Sequence, residues 1–354
     1  MFGLRMNRAV LTSLLALAGL AGVGHAQTFS GTYAQPSLDR WNYPFSSQPG
    51  AERFLPTFGA IQIPGFDDRD GQMLVGFNTA ADIPTNLPPE WYTVESMKLT
   101  VWVAVDEQFV YDPSFDSFVT LLPNADPRHV ADMDLGKPVE VFAVGFRNGF
   151  NLLTFQENSP FGGAPIIPPA EGARNTFAAI YDVSGQVATD VSRQVRQGFD
   201  AEPLGIAQIP ATEGVNPGDL VPIGTQMVFD LNPCAAGGQG YLRQCLAAGR
   251  VDLMVSSLAP AQGGPDGGTG DPTYPSFYSR ENPTAIALGK YTTLEYVVTV
   301  RNPADFDQSG FVDTDDFDAF VHAYENGDSS ADIDGSCFVD TDDYDTFVRA
   351  FEAG

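Results

Sequence analysis

Residues 304–327 read ADFDQSGFVDTDDFDAFVHAYENG, and residues 331–354 read ADIDGSCFVDTDDYDTFVRAFEAG. The two segments are offset by 27 residues and agree at 16 of 24 aligned positions. Most mismatches keep their chemistry, as Phe317 against Tyr344 and Tyr324 against Phe351. A repeat of this kind is one supersecondary unit used twice. Each copy sets oxygen-bearing residues at the alternating positions of a 12-residue loop. In the first copy they are Asp305, Asp307, Ser309, Asp313 and Asp316, with the main-chain carbonyl of Phe311 between them. In the second they are Asp332, Asp334, Ser336, Asp340 and Asp343, with the carbonyl of Phe338. Calcium, a hard cation that takes roughly six to eight oxygens, suits that spacing. The sixth loop position needs a sharp turn, which Gly310 supplies and Cys337 does not. Two calcium ions are therefore expected, the second held more weakly because of strain at Cys337.

A helix follows each loop. Phe317, Phe320, Val321 and Tyr324 form one apolar stripe at helical spacing, and Tyr344, Phe347, Val348 and Phe351 repeat it. Thr314 and Thr341 stand where N-caps belong. No comparable periodicity precedes either loop, so each unit is a loop with an exit helix. Neither stripe is buried alone, and the two helices are expected to pack roughly antiparallel. Residues 304–354 hold 15 acidic residues and one basic residue, Arg349. Carboxylates at that density repel one another, so folding of this segment should depend on the metal.

Duplicated loop-plus-helix units with aspartate at the twelfth position resemble a dockerin, and most closely the GC-type variant. The resemblance covers about 50 residues, 304–354. It implies a cohesin-like or cell-surface anchoring partner. It also implies that Thr314 with Asp315, and Thr341 with Asp342, carry partner recognition. Their identity in the two copies would permit two binding orientations.

The whole chain has 354 residues and a net charge of −27. Such an acidic surface repels nucleic acid and anionic membranes, and neither is expected as a partner. Arg5 and Arg8, an apolar run over 9–23, and the small residues Gly24 and Ala26 read as a signal peptide over 1–26. The protein is thus expected to be secreted or held at the cell surface, with no later membrane span. In an oxidising compartment Cys234 and Cys245, which flank a short segment, are expected to pair, leaving Cys337 over.

Residues 27–303 form the second region and read as β structure. Leu99, Val101, Val103 and Val105 alternate with Lys98, Thr100, Trp102 and Ala104. Further strands are expected at 73–77, 139–146, 177–181, 226–231, 251–256 and 292–300, and short helices at 190–197 and 241–248. The expected fold class is mainly β, a β-sandwich or jelly roll with short helices, followed by the small helical calcium module. Segments 66–77, 101–118 and 291–300 resemble the DNRLRE and disaggregatase-related domains, some of which bind carbohydrate. That resemblance implies a polysaccharide ligand. Aromatic residues available to stack on sugar rings are Trp41, Tyr43, Trp91, Tyr92, Tyr274 and Tyr278, with Asp67, Asp68 and Arg69 as polar neighbours. The same aromatics equally suit a core. The Gly-rich stretch 263–271 has no lysine and reads as a surface loop rather than a phosphate loop. No nucleophile motif or zinc spacing accompanies His129 or His322, and a carboxylate pair such as Asp68 with Glu140 or Glu157 is marked by nothing but composition. No catalytic residue is assigned. Three readings stay open: a non-catalytic glycan binder, a structural envelope protein, and a polysaccharide hydrolase or lyase.

Overall fold

The computed structural model describes residues 26–61, 63–162, 173–235, 237–261 and 273–353. All but the last residue of the signal peptide expected over 1–26, and the Gly-rich stretch 263–271, lie outside the described residues. From the N-terminus come β1 (Gln27–Tyr33), β2 (Leu38–Asn42), β3 (Phe54–Pro56), β4 (Phe58–Gly59), β5 (Arg69–Asn78) and β6 (Tyr92–Trp102). Next are β7 (Val139–Phe146), β8 (Thr176–Tyr181), β9 (Ala188–Asp190), α1 (Gln194–Gln197), β10 (Gly205–Ile206) and β11 (Gln226–Asp230). The chain then runs through α2 (Gly238–Ala248), β12 (Arg250–Ser257), β13 (Ser276–Tyr278), α3 (Pro283–Leu288) and β14 (Thr293–Val300). Two helices close it, α4 (Thr314–Glu325) and α5 (Thr341–Ala353).

The architecture is mainly β, and every strand pairing is antiparallel. One sheet has the order β1-β14-β6-β11; a larger one has the order β2-β5-β12-β7-β8-β9, with β4 on β5 and β10 on β7. Each strand expected from the sequence overlaps one of these, although the alternating run over 98–105 leaves β6 at Trp102. The alternation decides which face is core. In β14, Leu294, Tyr296, Val298 and Val300 are buried, while Glu295 between them is exposed. Those residues join Leu99 and Val101 of β6 and Met73, Val75, Val141, Val251, Leu253 and Val255 of the larger sheet in one apolar cluster. Each such side chain contributes about 1.5–3 kcal/mol when fully buried.

The larger sheet is buried on its other face as well, and that face is polar. Strand β12 is buried along its whole length, including Arg250, Asp252 and Ser256. A buried charge is tolerated only with a partner, and partners are present. Arg69 pairs with Glu140 at 2.6 Å, Arg250 with Asp252 at 2.6 Å, Arg174 with Asp67 at 2.8 Å, and Arg196 with Asp68 at 2.7 Å. Asp67, Asp68 and Arg69 are therefore committed inside the protein and are not the sugar-facing groups the sequence suggested.

Two sequence expectations need correction here. The helix expected at 190–197 is reduced to its last turn, because Val191 continues the sheet by donating to the Ala178 carbonyl at 3.0 Å. The disulfide joins Cys234 to Cys337, with Cα atoms 5.5 Å apart, and Cys245 is a free, buried thiol. The segment after Cys234 is not a simple closed loop but the entry to α2. That helix carries Cys245 on its buried stripe with Tyr241, Leu242 and Leu246. Burial pushes the Cys245 thiol up to about 12. Helix α2 lies tight on the turn before β9: a Cβ at Gly240 would stand 2.2 Å from the Val183 carbonyl oxygen, so only glycine fits.

Beyond β14, α4 and α5 bury their stripes together. Phe320 and Phe347 stack with ring centroids 4.0 Å apart, and Ala331 and Ile333 complete a small core flanked by Phe306, Phe317, Val348 and Phe351.

Candidate metal centre

Each loop folds around its own carboxylates. Asp305, Asp307 and Asp316 bring oxygens within 4.8 Å of one another, and Asp332, Asp334 and Asp343 do the same. Calcium–oxygen distances of about 2.3–2.6 Å place two ligands of one ion at most about twice that apart. The two loops also repeat one hydrogen-bond scheme. The Asp307 amide donates to Asp316 Oδ1 at 2.9 Å, and the Asp334 amide to Asp343 Oδ1 at 3.0 Å. Oδ2 of the same aspartates accepts from Asp313 and Asp340, both at 2.9 Å. Ser309 Oγ lies 3.4 Å from the Phe311 carbonyl oxygen, and Ser336 Oγ 3.2 Å from that of Phe338. The donors gathered here are all oxygens, which suits a hard cation rather than a thiolate- or imidazole-seeking one.

Asp313 and Asp340 stand outside both carboxylate groups. Asp313 is the N-cap of α4 and accepts from the Asp315 amide at 2.9 Å; Asp340 accepts from the Asp342 amide at the same distance. The caps are thus these aspartates, and Thr314 and Thr341, expected in that role, are the first helical residues. The aspartate oxygen one residue upstream is better placed for the free amides of the first turn.

The strain argument for a weaker second loop does not distinguish the two. Both need left-handed backbone at their fourth and sixth positions. The first spends Gln308 (φ 63°) and Gly310 (φ 90°) there, and the second Gly335 (φ 75°) and Cys337 (φ 67°). One non-glycine residue bears the strain in each. What differs is the setting. The second loop is pressed onto α2, where a Cβ at Gly335 would meet Gln239 Cγ at 2.4 Å. Arg243 donates to the Asp334 carbonyl at 2.5 Å and, through Nε, to the Tyr92 carbonyl at 2.7 Å. The disulfide adds a covalent link from Cys337 to the turn before α2. Burial lowers the Arg243 guanidinium to about 10, opposed by the nearby charges of Asp332 and Asp334. Burial, with the charges of Asp334 and Asp332, pushes Asp343 up to about 6, while the Ser309 amide holds Asp307 below the usual range.

The residues expected to carry partner recognition are also placed unequally. Thr314, Asp315, Thr341 and Asp342 are all exposed. Asp342, however, lines a cleft of about 810 Å³ shared with Val183, Gln186 and Arg243 of the β region. Phe311 and Phe338 leave their side chains 74% and 72% exposed.

No protein-family model matches the chain. A search of curated proteins finds no match either. The reading of the site rests on its geometry.

Of the aromatic residues named from the sequence, Tyr92 and Tyr278 are buried. Trp41, Tyr43 and Tyr274 meet in a partly exposed cluster with Phe45, Phe58 and Phe66. Trp41 Nε1 donates to the Pro56 carbonyl at 2.9 Å, so its polar edge is used internally. Sequence reasoning missed Arg243 and the role of Cys337. A signal for the disulfide was present, because Tyr241, Leu242, Cys245 and Leu246 share one helical face and so mark Cys245 as core. Nothing in the sequence marked Arg243 as a contact of a loop 91 residues away.

Proposed function

We propose that the protein is exported and binds calcium through its two C-terminal loops, which form a dockerin-type anchoring or assembly module. One observation carries this reading: two loops with the same carboxylates converge by the same hydrogen bonds. The ligands of the first would be Asp305, Asp307, Ser309, Asp316 and the Phe311 carbonyl, and of the second Asp332, Asp334, Ser336, Asp343 and the Phe338 carbonyl. Calcium would supply the positive charge that the acidic module lacks. Asp313 and Asp340 serve as helix caps in this arrangement and could reach an ion through water. The intramolecular disulfide is compatible with an oxidising, extracellular setting. Among the described residues no helix is long and apolar enough to cross a membrane. The test is circular dichroism of the full chain after chelation and after adding calcium. A gain of helix on addition, lost in a D305N/D332N chain, supports the reading; unchanged helix in the wild type sinks it.

A second element, polysaccharide binding by the β region, is favoured by the aromatic cluster around Trp41 and Tyr43, whose member Phe45 is 41% exposed. Retention on immobilised polysaccharides, reduced by Tyr43→Ala, is the expected result. Failure to bind any polymer leaves the structural-envelope reading, and release of soluble sugar would favour the hydrolase or lyase reading instead.

A further inference from the structure

The β region holds three more carboxylates whose oxygens lie within 4.8 Å of one another, those of Asp112, Asp116 and Asp134. They come from two segments. Asp112, Ser114 and Asp116 stand at alternate positions of one, and Asp132 and Asp134 at alternate positions of the other. The second segment is brought against the first at Gly136 (φ 108°), where a Cβ would stand 3.0 Å from both the Val110 carbonyl oxygen and Asp112 Cβ. Ser114 Oγ lies 2.6 Å from Asp112 Oδ1 and 2.8 Å from Asp134 Oδ2.

An acidic cluster alone does not make a site, and charge accounting with burial decides this one. Asp112 is 3% exposed and Asp116 7%, while Asp134 opens to solvent. Asp112 Oδ2 is buried and accepts no hydrogen bond. A buried carboxylate oxygen without a partner is destabilising unless something occupies its lone pairs. Lys137 is bonded to Asp116 and Asp132, and among the described residues no ion pair reaches Asp112 or Asp134. Four carboxylates thus face one ammonium. The other acidic group of the β region, Asp39 with Glu157 and Glu281, differs in this respect, because Arg280 contacts all three of its members.

We infer that Asp112, Asp116 and Asp134, with Ser114 Oγ, form a third calcium site, independent of the C-terminal loops and entered from the Asp134 side. The donors are again oxygen only, and carboxylates drawn irregularly from two separate segments suit calcium better than magnesium, which demands near-ideal octahedral geometry.

The experiment counts calcium bound per full-length chain by equilibrium dialysis, with magnesium as the competitor. Wild type is expected to bind three equivalents, a D112N/D134N chain two, and the D305N/D332N chain one. Two equivalents in both wild type and D112N/D134N would overturn the third site and leave the loops standing. One equivalent in wild type, lost in D112N/D134N, would instead overturn the loops and leave this site. Should D112N/D134N lose its strand signal, the D305N/D332N chain still decides: one remaining equivalent supports the site, and none overturns it.

Discussion

The polar face of the larger sheet and the C-terminal module both crowd carboxylates together, and they neutralise them in opposite ways. On the sheet, guanidinium groups from the same fold stand 2.6–2.8 Å from the buried carboxylates, as in Arg69–Glu140, Arg250–Asp252 and Arg174–Asp67. In the module, 15 acidic residues have a single arginine of their own and borrow Arg243 from α2. The sheet face is balanced by partners within the fold, whereas the module has a core of four buried side chains and, on the proposed reading, would take its balancing charge from outside. A buried pair of the first kind adds little net stability but is costly to break. Oxygens of the second kind could hold an incoming ion, and on the proposed reading folding would then be conditional on it.

The largest effect should come from removing calcium. At a thousandfold excess over the dissociation constant, each ion contributes about 4 kcal/mol. Chelation should therefore melt α4 and α5 and leave the β region folded, seen as lost helix signal with unchanged strand signal. Loss of both signals together would erase the contrast between the regions. Next, Glu140→Ala leaves Arg69 buried without its partner and should cost about 3–5 kcal/mol in denaturant unfolding of the β region, with or without calcium. A cost below about 1 kcal/mol, the range of exposed pairs, would show that this face is wetter than its burial implies. Replacing Cys234 and Cys337 by serine should lower the stability of the docked module by about 2–4 kcal/mol, and no change would mean that Arg243 and Gly335 suffice to hold it.

Acidity should act with opposite sign on the two regions. Burial pushes Asp70 up to about 7. The folded state therefore keeps a proton that the unfolded chain has released above about pH 4. Stability from this group is fully present below pH 4 and is lost as pH rises to about 7, by up to about 1.4 kcal/mol per unit. Unfolding of Asp70→Asn measured across that window should lack this slope. The calcium-loaded module should weaken towards acid, since protons compete for its ligands. The smallest effect separates the loops themselves. Arg243→Gln removes a positive charge beside Asp332 and Asp334 and should tighten calcium at the second loop by roughly threefold to tenfold. Weaker binding would show that Arg243 serves that loop chiefly by holding it in place.

Alternating Leu99, Val101, Leu294 and Val298 made the apolar core legible, because one-sided burial writes a period of two into the sequence. The convergence of Asp305, Asp307 and Asp316, and of Asp332, Asp334 and Asp343, was legible for the same local reason, since they are spaced along twelve residues, whereas the caps were placed one residue too late. The buried polar face was not. Arg250 and Asp252 alternate with Val251 and Leu253 as solvent-facing residues do, and only the loops laid over the sheet turn that outside into an interior. The disulfide was misassigned because proximity in sequence stood in for proximity in space, when the true partners are 103 residues apart. Helix α3 carried readable signs, Asn282 as N-cap with Pro283 after it, that composition alone obscured.

The bond between Cys234 and Cys337 also settles how mechanical load would cross the molecule. A pull on α4 or α5 reaches the β region by two parallel routes. One is the chain from Val300, the end of a strand held between β1 and β6; the other is the covalent bridge to the turn before α2. With the bridge intact, tension on the second loop bypasses the connection at residues 301–304, so β14 is spared from being peeled out of its sheet. A load applied to the C-terminal helices would thus reach the β region at two points rather than one.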